Sequence, residues 1–173
     1  MEKKNSSKNP NKAAQTRPGK MKSRLYKDLW RRPGYLIRRL HQIHVGLFLE
    51  ECADKELTPI QFGILSVLYN GEEMDQLTLS SSVGIDRTSG ADVIKRLERR
   101  NLLYRTTSEL DKRAKIITIT QQGKDFVDKF RPSMARAQER LVEPLDEQER
   151  EQFFILVGKM LEANDAASRA PLS

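Results

Sequence analysis

The sequence predicts a mainly α-helical protein with a small β-wing, in which N- and C-terminal helices flank a winged helix-turn-helix and form a dimerisation region. The first observation is the order of elements between Asp75 and Gly123, where a helix, a tight turn, a second helix and a basic β-hairpin follow one another. The second is the long helical pattern on both sides of this unit. Each element is predicted from local signals.

Two helices precede the central unit. Apolar residues and one histidine recur at spacings of three and four along the first helix and build one wide stripe: Leu36, Ile37, Leu40, Ile43, His44, Leu47 and Phe48. Pro33 separates this helix from a short leading one. Thr58 caps the second helix, Pro59 occupies its first position, and Asn70-Gly71 ends it.

Turn and capping residues define the central unit. Asp75 caps its first helix, Gly84 supplies the tight turn, and Asp86 caps its second helix. Asn101 is a plausible stop for that second helix. Two β-rich runs flank the polar loop 108–113, so we expect a hairpin there.

Two long helices close the chain. One starts at Thr120 and contains Pro132, which should kink it. The other opens with Asp146 and Glu149 as a capping box. Their apolar residues exceed what a small winged domain covers alone, so we expect the first and last helices of two chains to pack together. An intrachain bundle is the alternative.

Composition and the helical pattern divide the chain into segments. Residues 1–24 are predicted to form a disordered basic tail, because they contain almost no apolar residues. The other predicted segments are a domain at 25–164, with a winged helix-turn-helix at 58–119 and dimerisation helices at 34–53 and 120–164, and a flexible C-terminus at 165–173.

Positive charge is concentrated in two places. Residues 1–32 hold eleven basic and two acidic residues, a net charge of +9, whereas the remainder has twenty basic and twenty-two acidic residues. Within that remainder, residues 86–115 hold nine basic and five acidic residues. A focused basic patch is typical of a protein that binds double-stranded DNA. The tail either attracts phosphates or only keeps the chain in solution.

The predicted DNA contacts lie on the second helix of the central unit and at the hairpin tip. A recognition helix presents polar and basic groups at its N-terminal end, where it enters the major groove. The candidates are Arg87, Thr88, Ser89, Lys95 and Arg96 on the helix and Asp111, Lys112 and Arg113 at the tip. Arg113 can enter the minor groove, and Asp111 can hold it by an ion pair. Arg99 and Arg100 are better explained as a solvated helix face.

From about Gly34 to Asn164 the chain resembles the MarR family of transcriptional regulators. The resemblance rests on Asp111-x-Arg113 followed by Ile119-Thr120-Gln121-Gln122-Gly123, on Leu57-Thr58-Pro59-x-Gln61-Phe62, and on Gly84-Ile85-Asp86-Arg87-Thr88. It implies an obligate homodimer on a palindromic operator, with repression relieved by a small molecule bound between the dimer region and the winged domain. Segments 32–43 and 75–79 are similar to members that control aromatic-acid catabolism.

An aromatic-acid site needs apolar walls and a cation or hydrogen-bond donors for the carboxylate. The candidates, all near or on the first helix, are Trp30, Tyr35, Arg38, Arg39, His41 and His44. We expect Trp30 and Tyr35 to cover the ring. Arg38 or Arg39 would meet the carboxylate, or a phosphate of a coenzyme A thioester, and His44 would reach into the pocket. A histidine in an apolar stripe is otherwise a core or interface residue.

Other functional classes find less support. Cys52 suggests a redox-responsive repressor, but its acidic neighbours disfavour a thiolate. A protein that coats DNA with little sequence preference is a further alternative. Two histidines and one cysteine are too few for a metal site, and no Gly-rich phosphate loop or catalytic grouping predicts an enzyme or a cofactor. The absence of a run of about 18 apolar residues and of a secretory signal predicts a cytoplasmic protein without a membrane anchor.

Overall fold

The computed structural model describes residues 28–52, 57–71, 73–107 and 115–171. Its elements are α1 (Pro33–Cys52), α2 (Pro59–Leu68), β1 (Met74–Asp75), α3 (Gln76–Ser82), α4 (Arg87–Arg99), β2 (Leu103–Thr107), β3 (Lys115–Ile119), α5 (Gln121–Val142) and α6 (Glu147–Asn164), with a short 3-10 helix at Asp165–Ala167. The chain divides into two compact units, one ending at Arg39 and the other beginning at Leu40. The predicted mainly helical class is confirmed.

Side-chain caps fix where the helices begin, as predicted. The Thr58 hydroxyl accepts a hydrogen bond from the Gln61 backbone N–H at 3.2 Å, and Gln61 Oε1 accepts from the Thr58 N–H at 3.0 Å. Asp146 and Glu149 form the same reciprocal box at the start of α6. Each such cap stabilises a helix by about 1 kcal/mol, which explains why short-range sequence patterns locate these ends.

Left-handed backbone conformations mark where the helices stop. Gly71 follows α2 with φ of +85°, and Gly84 makes the turn between α3 and α4 with φ of +72°. Asn101 follows α4 with φ of +56°, a conformation that asparagine tolerates better than most residues. The predicted ends of α2 and α4 and the tight turn are therefore confirmed.

The strands form a three-stranded antiparallel sheet within the described residues, in the order β1-β3-β2. The predicted hairpin is confirmed over its described part, where β2 and β3 pair with each other. Strand β1, two residues long, pairs Met74 with Ile117 and was not predicted. The hairpin tip, residues 108–114, lies outside the described residues, so the candidates Asp111, Lys112 and Arg113 are not located.

The core of the winged unit lies between α2, α4, the sheet and the first half of α5. Ile94 and Leu97 on α4 are fully buried. They share the core with the following residues from the other elements: Ile64, Leu65, Leu68, Leu79, Leu103, Ile117 and Val127. Burial of a large aliphatic side chain contributes roughly 1.5–3 kcal/mol, so this cluster holds α4 against its neighbours.

Helix α6 leaves large apolar side chains uncovered, and Phe154, Val157 and Leu161 lie along one side of it. None of its residues is buried within the described part of the chain. Its large exposed apolar side chains are Phe154, Ile155, Leu156, Val157, Met160 and Leu161. An intrachain bundle would bury them, so the observed packing disfavours that alternative. Helix α5 is continuous through Pro132. In the described ranges, no helix has the length and apolar content to cross a membrane.

Candidate DNA-binding surface and effector cavity

A close contact between Ser80 on α3 and Gly90 on α4 sets the crossing of the helix-turn-helix. Ser80 is fully buried, and its hydroxyl donates to the Gln76 carbonyl at 2.7 Å. A Cβ atom placed on Gly90 would clash with Ser80 Oγ and lie 2.8 Å from Ser80 Cβ. Because only glycine permits this approach, the pair fixes the position of α4, the predicted recognition helix.

The first turn of α4 is organised by the carboxylate of Asp86. Its Oδ1 accepts from the backbone N–H groups of Thr88 and Ser89, both at 3.0 Å. Its Oδ2 accepts from the Ser89 hydroxyl at 2.7 Å. These hydrogen bonds, led by the one from the Ser89 backbone, lower the pKa of Asp86. The hydroxyl of Ser89 is thus already used as a donor, which leaves its lone pairs for further contacts.

The other candidate DNA contacts on α4 are exposed. Arg87, Thr88 and Ser89 are all exposed at its N-terminal end, and Lys95 and Arg96 are exposed farther along. Arg100 differs from the expected solvated residue, because its guanidinium lies 5.1 Å from the centroid of the Phe126 ring and the residue is half-buried. This contact ties the end of α4 to α5.

A link between α4 and the wing was not predicted. Arg105 on β2 donates from Nε to Glu98 Oε1 at 3.1 Å and from Nη2 to Glu98 Oε2. This hydrogen bonding lowers the pKa of Glu98. The two residues are seven positions apart in different kinds of element, so neither helical nor strand periodicity indicates their contact.

A cavity of about 520 Å³ lies between the second half of α1, α5 and the start of α6, within the unit that begins at Leu40. Three of its lining side chains are polar: His41 and His44 from α1 and Gln138 from α5. The apolar lining consists of Leu40, Leu141, Val142, Pro144, Leu145 and Phe153. This size and lining are typical of small-molecule sites, which bury a ring against apolar walls and orient it with few polar groups.

The two histidines predicted as ligand contacts therefore share one cavity. His44 Nε2 lies 3.1 Å from the side-chain nitrogen of Gln138, a contact in which a neutral imidazole accepts and the amide donates. Burial lowers the pKa of His44, and the nearby charge of His41 lowers it further. Sequence reasoning missed Gln138 because it follows His44 by 94 residues and no local pattern joins them.

The other ligand candidates lie in the unit that ends at Arg39. Trp30 and Tyr35 pack edge to face, with ring centroids 6.5 Å apart and planes at 64°. Arg38 and Arg39 are exposed on α1. Their contacts with an effector stay predictions from the sequence.

An ion-pair network connects the end of α1 to α5. Glu51 accepts from Arg136 Nε and from Arg140 Nη1, both at 2.8 Å, and Glu50 accepts from Arg140 Nη2 at 2.9 Å. The hydrogen bonds from Arg136 and then from Arg140 lower the pKa of Glu51. Cys52, beside this network, is 4% exposed. The burial of Cys52 argues against a redox sensor, which needs an accessible thiol. Its acidic neighbours Glu50 and Glu51 argue against one less directly, because Arg136 and Arg140 pair with them.

Residues 57–115 match the model of the MarR family. The PcaV transcriptional regulator from Streptomyces coelicolor, solved in complex with its natural ligand, is 32% identical over 79% of this chain and 96% of its own, with a TM-score of 0.74. The chain belongs to the MarR family. The predicted resemblance is thus confirmed. The winged helix-turn-helix of this chain is the DNA-binding unit of a transcriptional regulator.

Two further solved structures of regulators are similar over most of the chain. Bordetella bronchiseptica BpsR, whose DNA binding is regulated by 6-hydroxynicotinic acid, is 28% identical over 75% of this chain and 93% of its own, with a TM-score of 0.72. The transcriptional repressor CouR, bound to a 23-mer DNA duplex, is 28% identical over 77% of this chain and 94% of its own, with a TM-score of 0.70. These MarR-type proteins are regulators of transcription, and no enzyme family is indicated.

Proposed function

We propose that this MarR-family protein is a homodimeric repressor that leaves a palindromic operator when a small aromatic acid, or its coenzyme A thioester, binds in the cavity lined by His41 and His44. The observation that carries the proposal is an apolar cavity of about 520 Å³ with two imidazoles on one wall. The ligand dependence of BpsR and the DNA complex of the repressor CouR support it by analogy.

The chemistry of the cavity favours an acid that carries one aromatic ring. Leu141, Leu145 and Phe153 offer an apolar surface for the ring, while His41 and His44 offer nitrogen donors for a carboxylate. A protonated imidazole forms a charge-assisted hydrogen bond with a carboxylate, which is about twice as strong as a neutral one. The coenzyme A group of a thioester would extend out of the cavity.

The sequence alone predicts further effector contacts, which stay proposals. Arg38 or Arg39 would supply a further cation for the carboxylate or for a phosphate of the thioester. Trp30 and Tyr35 would cover the ring.

A second copy of the same chain is the occupant we propose for the apolar side of α6. Phe154 is 63% exposed and Leu161 is 65% exposed, values that a soluble helix seldom shows on one side without a partner. Leu40 and Ile43 on α1 are also exposed. A twofold dimer would bury the same surface on both copies, and two recognition helices about 34 Å apart would read half-sites one turn apart.

On each half-site we propose that Arg87 contacts base edges in the major groove and that Thr88 and Ser89 contact bases or phosphates. Lys95 and Arg96 would contact the DNA backbone. The wing contacts would come from Asp111, Lys112 and Arg113, with Arg113 in the minor groove.

Release of DNA by ligand tests this function. A labelled DNA duplex is first selected from a random pool by its binding to the protein. Fluorescence anisotropy then measures how much of this duplex stays bound as the complex is titrated with 6-hydroxynicotinate, hydroxybenzoates, hydroxycinnamates and the coenzyme A thioester of one hydroxycinnamate. We expect one free acid or thioester to release the duplex at roughly micromolar to millimolar concentration. Sequence-selective binding that none of them disturbs would reject the effector class. Equal binding to selected and scrambled duplexes would instead support the DNA-coating alternative.

A further inference from the structure

The ion pair between Glu98 and Arg105 joins the recognition helix α4 to strand β2 of the wing. Arg105 engages both oxygens of the carboxylate, with Nε 3.1 Å from Oε1 and Nη2 hydrogen-bonded to Oε2. Two parallel hydrogen bonds fix the relative orientation of the groups as well as their separation. The pair thus connects the two elements that the winged unit presents to DNA.

Burial anchors the wing mainly through strand β3 and through the start of β2. On β2, Leu103 is 1% exposed, whereas the residues that follow it, 104–107, are all exposed. Strand β3 contributes the buried residues Ile117 and Ile119. The two strands pair from Leu103↔Ile119 to Thr107↔Lys115, and Arg105 lies opposite the buried Ile117. Because the side chains of β2 beyond Leu103 are exposed, the ion pair with Glu98 joins an otherwise exposed part of β2 to α4.

We propose that Glu98 and Arg105 are positioning residues that set the angle between the recognition helix and the wing, so that both reach one half-site together. Neither residue needs to touch DNA for this role. Their side chains are 33% and 31% exposed, and ion pairs so exposed contribute little to the free energy of unfolding. The pair therefore acts on the geometry of DNA reading more than on the stability of the fold.

Charge and geometry predict different outcomes for the two partners. Removing the negative charge with Glu98→Gln should strengthen binding to any DNA, and removing the positive charge with Arg105→Gln should weaken it. Loss of positioning should instead lower the preference for the selected sequence in both variants alike. The inference rests on the operator binding proposed above and not on effector release.

The experiment measures the ratio of the dissociation constants for a scrambled duplex and for the duplex selected by the wild-type protein. The variants are E98Q, R105Q and the charge exchange E98R/R105E, and Asp92→Asn serves as control because it removes another exposed carboxylate from α4. We expect the ratio to fall in both single variants by on the order of tenfold, as when one base-pair contact is lost. The E98R/R105E variant should recover most of the wild-type ratio, and D92N should keep the wild-type ratio. The thermal unfolding midpoints of all variants should stay close to the wild-type value.

Three outcomes would overturn the proposal. The first is an unchanged ratio in E98Q, and the second is a ratio that falls in only one of the two single variants. The third is an E98R/R105E variant that folds but has a ratio as low as those of the single variants. A wild-type protein that prefers the selected duplex but releases it for none of the acids or thioesters would count against the proposed cavity and not against this pair.

Discussion

The imidazole Nε2 of His44 lies 3.1 Å from the side-chain nitrogen of Gln138, on the wall of an otherwise largely apolar cavity. The contact joins α1 to α5 at the place where the proposed effector would bind. Because the amide is a donor, it favours the neutral imidazole while the cavity holds no anion. An arriving carboxylate would compete with Gln138 for the same ring.

Replacement of His44 should weaken the response to the effector. We expect His44→Phe to raise the acid concentration that releases half of the DNA by roughly tenfold or more, because a hydrogen bond to a charged group contributes about 1.5–3 kcal/mol. Half-release concentrations from anisotropy titrations measure this. Gln42→Ala, at an exposed position of the same helix, is the control and should respond like the wild type. An unchanged response in H44F would remove His44 from the site.

Effector binding should take up a proton. Burial and His41 hold the pKa of His44 below its ordinary value of 6.5, while a bound carboxylate favours the protonated ring. Affinity for the acid should therefore rise as the pH falls from about 8 towards that lowered pKa and then level off. Calorimetry in two buffers of different ionisation enthalpy measures the uptake directly. Equal apparent enthalpies in both buffers would contradict it.

His44 should also make the free energy of unfolding fall as the pH is lowered. A pKa that is lower in the folded than in the unfolded state means that the unfolded chain binds more protons as the pH falls through 6.5. The contribution of His44 to the free energy of unfolding is thus present above pH 6.5 and is lost as the pH falls towards the folded pKa. Urea unfolding of the wild type and H44F across this range should show a steeper loss in the wild type.

The helix-turn-helix crossing should not tolerate a larger residue at Gly90. We expect Gly90→Ala to lower the free energy of unfolding by about 1–3 kcal/mol and to weaken DNA binding, because the added methyl group collides with Ser80. The matched control is Gly63→Ala on α2, where the new Cβ would meet Val83 at an ordinary 3.5 Å and helix propensity improves. Denaturant unfolding of both variants checks the contrast. Equal stabilities would show that α3 and α4 can separate.

A charge on the uncovered side of α6 should prevent dimerisation. We expect Leu161→Glu to shift the protein to a monomer that loses operator binding, since burying the introduced carboxylate in an apolar interface is costly. Lys159→Glu places the same side chain at an exposed polar position of α6 and is the control. Sedimentation velocity measures the mass. A monomeric wild type, or a dimeric L161E with full DNA binding, would locate the partner surface elsewhere.

The sequence predicts well whatever depends on near neighbours in the chain. Thr58, Asp86 and Asp146 cap their helices through residues two or three positions away, so local patterns suffice. Which residue lies against Gly90 depends instead on how α3 and α4 cross. That crossing is a tertiary property.

Local sequence patterns do not predict contacts between distant segments of the chain. Glu51 meets Arg136 across 85 residues, and the two-residue strand at Met74 exists only because β3 pairs with it. The cavity combines a histidine pair from α1, which periodicity indicates, with walls such as Leu145 and Phe153 that no local pattern assigns to a site. Sequence periodicity therefore indicates the histidine pair but not the apolar walls around it.

Filling the cavity tests the central claim most directly. Leu141 lines it from α5, and Leu141→Trp should occupy the space of the aromatic ring. The measurement is the acid concentration that releases half of the selected DNA from the wild type, from L141W and from Ala135→Trp, which carries the same side chain at an exposed position of α5. We expect all three to bind DNA alike and only L141W to resist release. Release of L141W at the wild-type concentration would show that this cavity does not control the repressor.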